Sequence, residues 1–443
     1  MPLPKNPSSS PRRLLAAALL AALSVPVCAE SLKDVFEAAR GYDATYLAAR
    51  ATAESVRHKA AQADALERPT VGLQAGLTHN GSDTPLFNTR SYNTASLGVQ
   101  ASQPLFNRQN ALSIDKARKA LDIAQADLAT AEMDLAIRVA QAYFDVLAAQ
   151  DALSTARASK TAISEQLASA KRNFEVGTAT ITDTREAQAR FDLATASELA
   201  AENDLRTKRI ALDQLVGRTA VAPKQLVVPV VLPTVLPADA EVWVTTADQQ
   251  HPTIRRARVA LDVAQLETAK ARAGEKFTLD AVGSVGATYT SGSLASTPGT
   301  SKNASVGLQF NLPLYTGGAT QNRIKETLVL EEKSRQDLEA ARRGVTQGTR
   351  VAFFGVQSLL AQVKALEAAE ASGKLALEAT QLGYRVGVRV NLDVLNAQRD
   401  LYQTQRDLAK ARYDVLVNGL RLRQASGQLA PSDLDAVNAL LAK

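Results

Sequence analysis

The sequence predicts a mainly α-helical chain with a β-barrel part, and three observations carry that reading. Aromatic residues make up only 5% of 443 while hydrophobic ones reach 46%, which suits long, thinly packed, Ala-rich helices better than several thick cores. Two proline-free stretches run from about Asn110 to Phe174 and from about Thr320 to Tyr384. As helix, each would reach about 100 Å at 1.5 Å per residue. Ahead of each stretch stands a pair of segments in which apolar and polar residues alternate with period two.

Before these elements comes an address. Lys5, Arg12 and Arg13 precede the apolar run Leu14 to Val25, followed by Val27 and Ala29. That order predicts a signal peptide over 1–29, with Glu30 opening an exported chain. The run is too short to span a bilayer comfortably, and no later stretch approaches the length a membrane helix needs. The net charge of +6 falls to about +3 without the leader, too mild to point to nucleic acid. The sole cysteine, Cys28, leaves with it. The mature chain then needs no disulfide and has no thiolate metal ligand or cysteine nucleophile.

The chain repeats itself. Ser96-Leu-Gly98-Val-Gln100 returns as Ser305-Val-Gly307-Leu-Gln309, and Pro104-Leu105-Phe106 as Pro313-Leu314-Tyr315. Ala142-Tyr143-Phe144, Val176-Gly177, Asp183, Leu212 and Gly217 return as Ala352-Phe353-Phe354, Val386-Gly387, Asp393, Leu422 and Gly427. The offset is about 210 positions throughout, too long for a solenoid, so one unit is duplicated. We divide the mature chain into a first repeat over 30–217, a proline-rich linker over 218–239, a second repeat over 240–428 and a tail over 429–443. Pro223, Pro229, Pro233 and Pro237 keep the linker from forming long helix.

Each repeat reads helix, strand, loop, strand, very long helix, tight turn, helix. Strands are placed at 69–79 and 95–106, then at 277–290 and 303–315. In the last, Ala304, Val306, Leu308, Phe310, Leu312 and Leu314 alternate with Asn303, Ser305, Gly307, Gln309 and Asn311. Such lengths are generous for a soluble sheet and right for tilted membrane strands. The polar loops 80–94 and 291–302 would then face outward. In the long helices, Ala117, Ala124 and Ala131 form one row and Leu121, Leu128 and Leu135 another, while Leu401, Leu408 and Val415 keep a seven-residue step. These are coiled-coil seams. Four strands cannot close a barrel, and an open edge cannot sit in lipid. Three chains would supply twelve strands, an ordinary barrel size, and their helices would prolong the cylinder as a tube.

With these motifs in this order, the mature chain resembles the TolC family of outer-membrane exit ducts from Ser31-Leu32 to Asn438-Ala-Leu440. The resemblance rests also on Val176-Gly177-Thr178-Ala-Thr-Ile-Thr182-Asp183, Pro313-Leu-Tyr315-Thr-Gly317-Gly318 and Tyr384-Arg-Val386-Gly387. It implies a homotrimer: a twelve-stranded barrel in the outer membrane of a Gram-negative bacterium, continued by an α-helical coiled-coil tunnel in the periplasm. It implies as partners a periplasmic adaptor (membrane fusion protein) and an inner-membrane pump, either an ABC or a proton-driven one. It implies drug efflux or type I protein secretion. Val176, Gly177 and Thr178, with Val386, Gly387 and Val388, become the adaptor-docking tips. Thr182, Asp183, Tyr384, Arg389 and Asp393 become a periplasmic gate, with Arg389 donating to Thr182 and Asp183. Asp393 would form an acidic ring, and the family's second ring position is matched by Asn396.

No enzyme motif appears. His58, His79 and His251 lack metal-ligand spacing, and Gly283-Ser-Val-Gly286 lies inside an alternating strand. No catalytic, metal or cofactor residue is assigned. The competing reading is a periplasmic coiled-coil adaptor or spacer without a membrane barrel, which the two pairs of membrane-length strands argue against.

Overall fold

The computed structural model describes residues 29–82, 90–227, 229–291 and 298–442. The signal peptide, apart from Ala29, lies outside these residues, as do the middles of both outward loops. Paired short helices α1 (Leu32–Tyr42) and α2 (Ala44–Asp64) lead into strands β1 (Thr70–Ser82) and β2 (Arg90–Phe106). The long helix α3 (Arg108–Glu175) follows and turns back as α4 (Ile181–Val216). The second half runs α5 (Ala240–Gln250), α6 (Pro252–Ala273), β3 (Thr278–Ser291), β4 (Gly299–Asn311), α7 (Ala319–Arg385) and α8 (Asn391–Ala425), with α9 (Pro431–Asn438) in the tail.

Three expectations are corrected. Each half opens with two helices rather than one, because each break carries a capping residue. Asp43 accepts the Tyr46 amide at 2.8 Å, and His251 accepts the Thr253 amide at 3.1 Å ahead of Pro252. The last strand ends at Asn311 rather than 315. Pro313 cannot donate to a ladder, and Gly317 and Gly318 then take φ of 63° and 83° in a turn. At their outer ends the strands run further than expected: β1 and β2 remain paired to Ser82 and Arg90.

The four strands form one antiparallel sheet in the order β1-β2-β3-β4. Directly paired residues share a face, so the register aligns Leu73, Val99, Val285 and Ala304 in one row. Two residues lower, Val71, Ala101, Gly283 and Val306 make the next. The opposite face carries Gln74, Gln100, Ser284, Ser305 and Gln309, with the Ser284 and Ser305 hydroxyls 2.8 Å apart. A bulge at Pro104 to Phe106 brings Phe106 onto the apolar face. There it stacks on Phe277 at 4.7 Å, and Phe277 stacks on Phe310 at 5.3 Å. These apolar side chains are open to solvent in the single chain: Val306 is 91% and Leu77 88% exposed.

The packed core lies midway along the helices. Leu32, Val35 and Phe36 of α1 meet Val139, Tyr143, Phe144 and Leu147 of α3, Leu212 of α4, Tyr413 and Leu420 of α8 and Leu434 of α9. The linker is strapped across this core. Tyr143 Oη accepts the Lys224 amide at 2.7 Å and donates to the Glu30 carbonyl at 3.0 Å, and Val227 N–H bonds to the Leu440 carbonyl. Burial pushes the Tyr143 hydroxyl up in pKa, keeping it neutral. Tyr413 donates to Asp151 at 2.7 Å, and burial raises that carboxyl too. In the second half, a smaller cluster of Trp243, Phe353, Val356 and Leu422 takes the matching place.

Two ionisable caps fix the short helices. Arg138 donates to both oxygens of Asp43, at 2.8 and 2.9 Å, and holds that carboxyl below its usual range. Arg138→Ala should cost about 2 kcal/mol, between the values for exposed and buried pairs because the guanidinium is partly solvated. The His251 ring must be neutral at Nδ1 to accept the Thr253 amide, and burial lowers its pKa. A folded pKa below the unfolded value of about 6.5 gives stability that is present above pH 6.5 and lost as pH falls. His251→Asn keeps an acceptor but removes the titration. The thermal midpoint of the helical circular-dichroism signal should therefore fall less between pH 7.5 and 5 in His251→Asn than in the wild type. Equal falls would reject this role.

Candidate functional site: the helical tips and the contacts between hairpins

Both long helices reverse by the same device. At the first tip the Asn173 carbonyl accepts the Thr178 and Ala179 amides at 2.8 and 3.2 Å. At the second, the Gly383 carbonyl accepts the Val388 and Arg389 amides at 2.8 and 3.1 Å. Gly177 and Gly387 take φ of 80° and 78°, and a Cβ there would meet open space. Glycine is needed at the tips for backbone conformation and not for room. Val176, Val386 and Val388 are 72%, 65% and 79% exposed, so each tip presents apolar surface outward.

The helices leaving the tips are capped unequally. At α4, the Thr180 hydroxyl and amide both bond the Asp183 carboxylate, at 2.7 and 3.0 Å, and the Thr182 hydroxyl lies 2.6 Å from that of Thr180. At α8, Val390 replaces the threonine, so Asp393 keeps only a 3.4 Å contact to the Val390 amide. Asp393 turns instead to Arg389, 3.7 Å away.

The proposed gate residues are thus near one another, but the partners differ from those expected within one chain. From the tip turn, Arg389 pairs with Asp393 in the first turn of α8, not with Thr182 or Asp183. Its stem lies over Gly383, where a Cβ would come within 2.8 Å of Arg389 Cγ. Tyr384 Oη accepts from Asn173 Nδ2 at 3.3 Å. Near the tips the two hairpins are joined by a contact that the sequence did not reveal. Asn391, only 1% exposed, donates from Nδ2 to the Asp183 carbonyl at 3.3 Å and accepts from Gln166 at Oδ1. Beside it Leu395 packs among Ile163, Leu167, Ala170, Ala187 and Ala194, and Arg190 donates to Asn396 at 3.1 Å. Further up the first hairpin, Lys160 and Arg157 both bond Glu198, and Lys160 foremost holds that carboxyl below its usual range.

This geometry belongs to a definite class: a four-stranded membrane sheet, apolar on one face, joined to two helical hairpins about 100 Å long, as in barrel-and-tunnel channels of the outer membrane. The outer membrane efflux protein family matches residues 37–218 and 243–428, and the chain belongs to that family. It is similar to the outer membrane protein TolC of Vibrio cholerae, 34% identical over 96% of this chain and 97% of that one. The alkaline protease secretion protein AprF of Pseudomonas aeruginosa is also 34% identical, over 79% of this chain and 73% of its own. Among solved structures, the Campylobacter jejuni CmeC outer membrane channel superposes with a TM-score of 0.78 at 16% identity, covering 99% of this chain and 97% of that one. The protein is therefore an outer-membrane protein with its helices in the periplasm, and the adaptor or spacer reading is set aside.

Asn391→Ala would strand Gln166 and the Asp183 carbonyl, at a cost of about 1–3 kcal/mol. Amide hydrogen exchange over residues 391–398 should quicken several-fold, while exchange in the middle of α3 stays unchanged. No change at 391–398 would show that Leu395 packing, without the Asn391 bonds, holds the hairpins together near the tips.

Proposed function

We propose that three copies of this chain close a twelve-stranded barrel and that the resulting duct carries drugs or secreted proteins out of the cell. The observation that carries this reading is the pair of unpaired sheet edges, β1 and β4, on a sheet whose apolar face is largely open to solvent. In lipid each edge must find a partner strand, and β4 of one copy meets β1 of the next. The helices support the same association. Phe354 on α7 is 56% exposed, whereas its counterpart Phe144 is buried at 1%. A neighbouring copy would cover it.

Cargo reaches the duct from an inner-membrane pump through a periplasmic adaptor. The similarity to a protease secretion protein supports protein export, and the channel relatives support efflux. The exposed valines at the tips suit apolar docking by an adaptor hairpin. Arg389, 61% exposed at its side chain, reaches across the subunit boundary in the resting trimer to Thr182 and Asp183 of the next copy. Asp393, placed toward the lumen, contributes to an acidic ring. Each exposed link contributes about 1 kcal/mol or less, so three of them make a latch that adaptor binding can release.

Tyr384→Phe combined with Arg389→Ser should raise single-channel conductance in planar bilayers several-fold with the trimer intact. Asp393→Ala should weaken block by multivalent cations. Wild-type conductance in the double variant would return these residues to the solvated surface.

A further inference from the structure

Among the described residues, the apolar face of the sheet is interrupted by one cation. Lys302 on β4 pairs with Ala287 and so shares a row with Ala287, Leu97 and Ala75. That row faces outward with Leu73, Val99 and Val285, not inward with the glutamines and serines. A lysine on a lipid-facing wall is costly at the bilayer midplane and tolerable near a headgroup. Its height is reckoned from the aromatic stack of Phe106, Phe277 and Phe310, next to Lys276 in sequence, taken as the periplasmic boundary of the apolar band. Lys302 lies about eight residues above Phe310, about 26 Å along the strand at 3.3 Å per residue. At a tilt near 40° that is about 20 Å along the membrane normal, against an apolar band of about 25 Å. The remaining 5 Å or so is a gap that the four-carbon stem covers by snorkelling outward.

The surface beneath this ammonium is hollowed. Lys302, Ala304, Ala287, Leu97 and Val285 line a depression of about 440 Å³. A second, of about 490 Å³, shares Leu97 and Ala287 and is rimmed by Tyr289 and Leu77. The first hollow runs inward from Lys302 to the row of Leu73, Val99 and Val285, and the second lies on its outer side, so together they make a shallow apolar channel with a single positive charge along its edge.

We propose that this channel holds an acyl chain of an anionic outer-leaflet lipid whose headgroup phosphate is bound by Lys302. The proposal rests on the outer-membrane barrel described above. The occupant is a phosphorylated glycolipid, because both the charge and the apolar hollow must be filled and a free phosphate fills only the first. Three equivalent sites would ring the trimer near its outer rim, and they would tether the barrel in the leaflet without touching the duct.

Native mass spectrometry of the detergent-solubilised protein provides the test, using diphosphorylated lipid A, its dephosphorylated form and sodium phosphate as probes. Up to three lipid A molecules should be retained per trimer. Lys302→Met should weaken retention about fivefold, the worth of one basic residue near an anionic surface. Lys302→Glu should abolish it, and Lys276→Met, at the opposite boundary, should leave it unchanged. Equal retention by the wild type and Lys302→Met overturns the site, as does equal retention of the dephosphorylated lipid. Displacement of lipid A by millimolar sodium phosphate would mean a small-anion site and likewise overturns it. The trimer mass in the same spectra separates the failures. With trimer present and retention unchanged the site alone falls; without trimer the barrel falls too.

Discussion

An unpaired strand edge cannot be left in hydrocarbon, and the whole chain is organised around that constraint. Each missing backbone bond in lipid costs several kcal/mol, far more than any exposed ion pair in the protein contributes. A sheet of four strands, apolar on one face and polar on the other, therefore demands further strands of the same kind. Because the long helices leave the sheet from β2 and β4, closing the sheet also gathers the helices into a tube. Barrel and tunnel are one consequence of one rule.

The two halves solve the same problem with different chemistry, and their differences place the work. The first half keeps the large core, where Tyr143 ties the linker and Glu30 to the helices and Phe144 is buried against Tyr413. The second half leaves Phe354 exposed and replaces the capping threonine of α4 by Val390 before α8. One hairpin is thus anchored within its own chain and more tightly capped. The other meets it through Tyr413 and Leu420 in that core and, near the tips, through Asn391, Leu395 and Asn396.

Much of the fold was legible because membrane strands and long helices obey strict periods. Alternation from Ala304 to Phe310 and the absence of proline between Asn110 and Phe174 depend on neighbours a few residues away. Helix breaks at Asp43 and at His251-Pro252 are also written locally, as caps, but the helical pattern continues across them and masks them. The bulge that turns Phe106 outward left no such trace, since it depends on how β2 meets β3. The tips could be placed from Gly177 and Gly387. The Asn391 contacts could not, because a buried asparagine bridging Gln166 and the Asp183 carbonyl joins residues far apart in sequence. For the same reason the sequence does not show that, within one chain, Arg389 meets the carboxylate of Asp393.

The central claim is that the four-stranded sheet is completed only by other copies of itself. The most direct measurement is the protein mass of the particle extracted from membranes, determined in detergent by light scattering with the detergent contribution subtracted. The account predicts three times the mass of one mature chain, and loss of that particle when detergent is withdrawn. A stable monomer that stays soluble without detergent would contradict it.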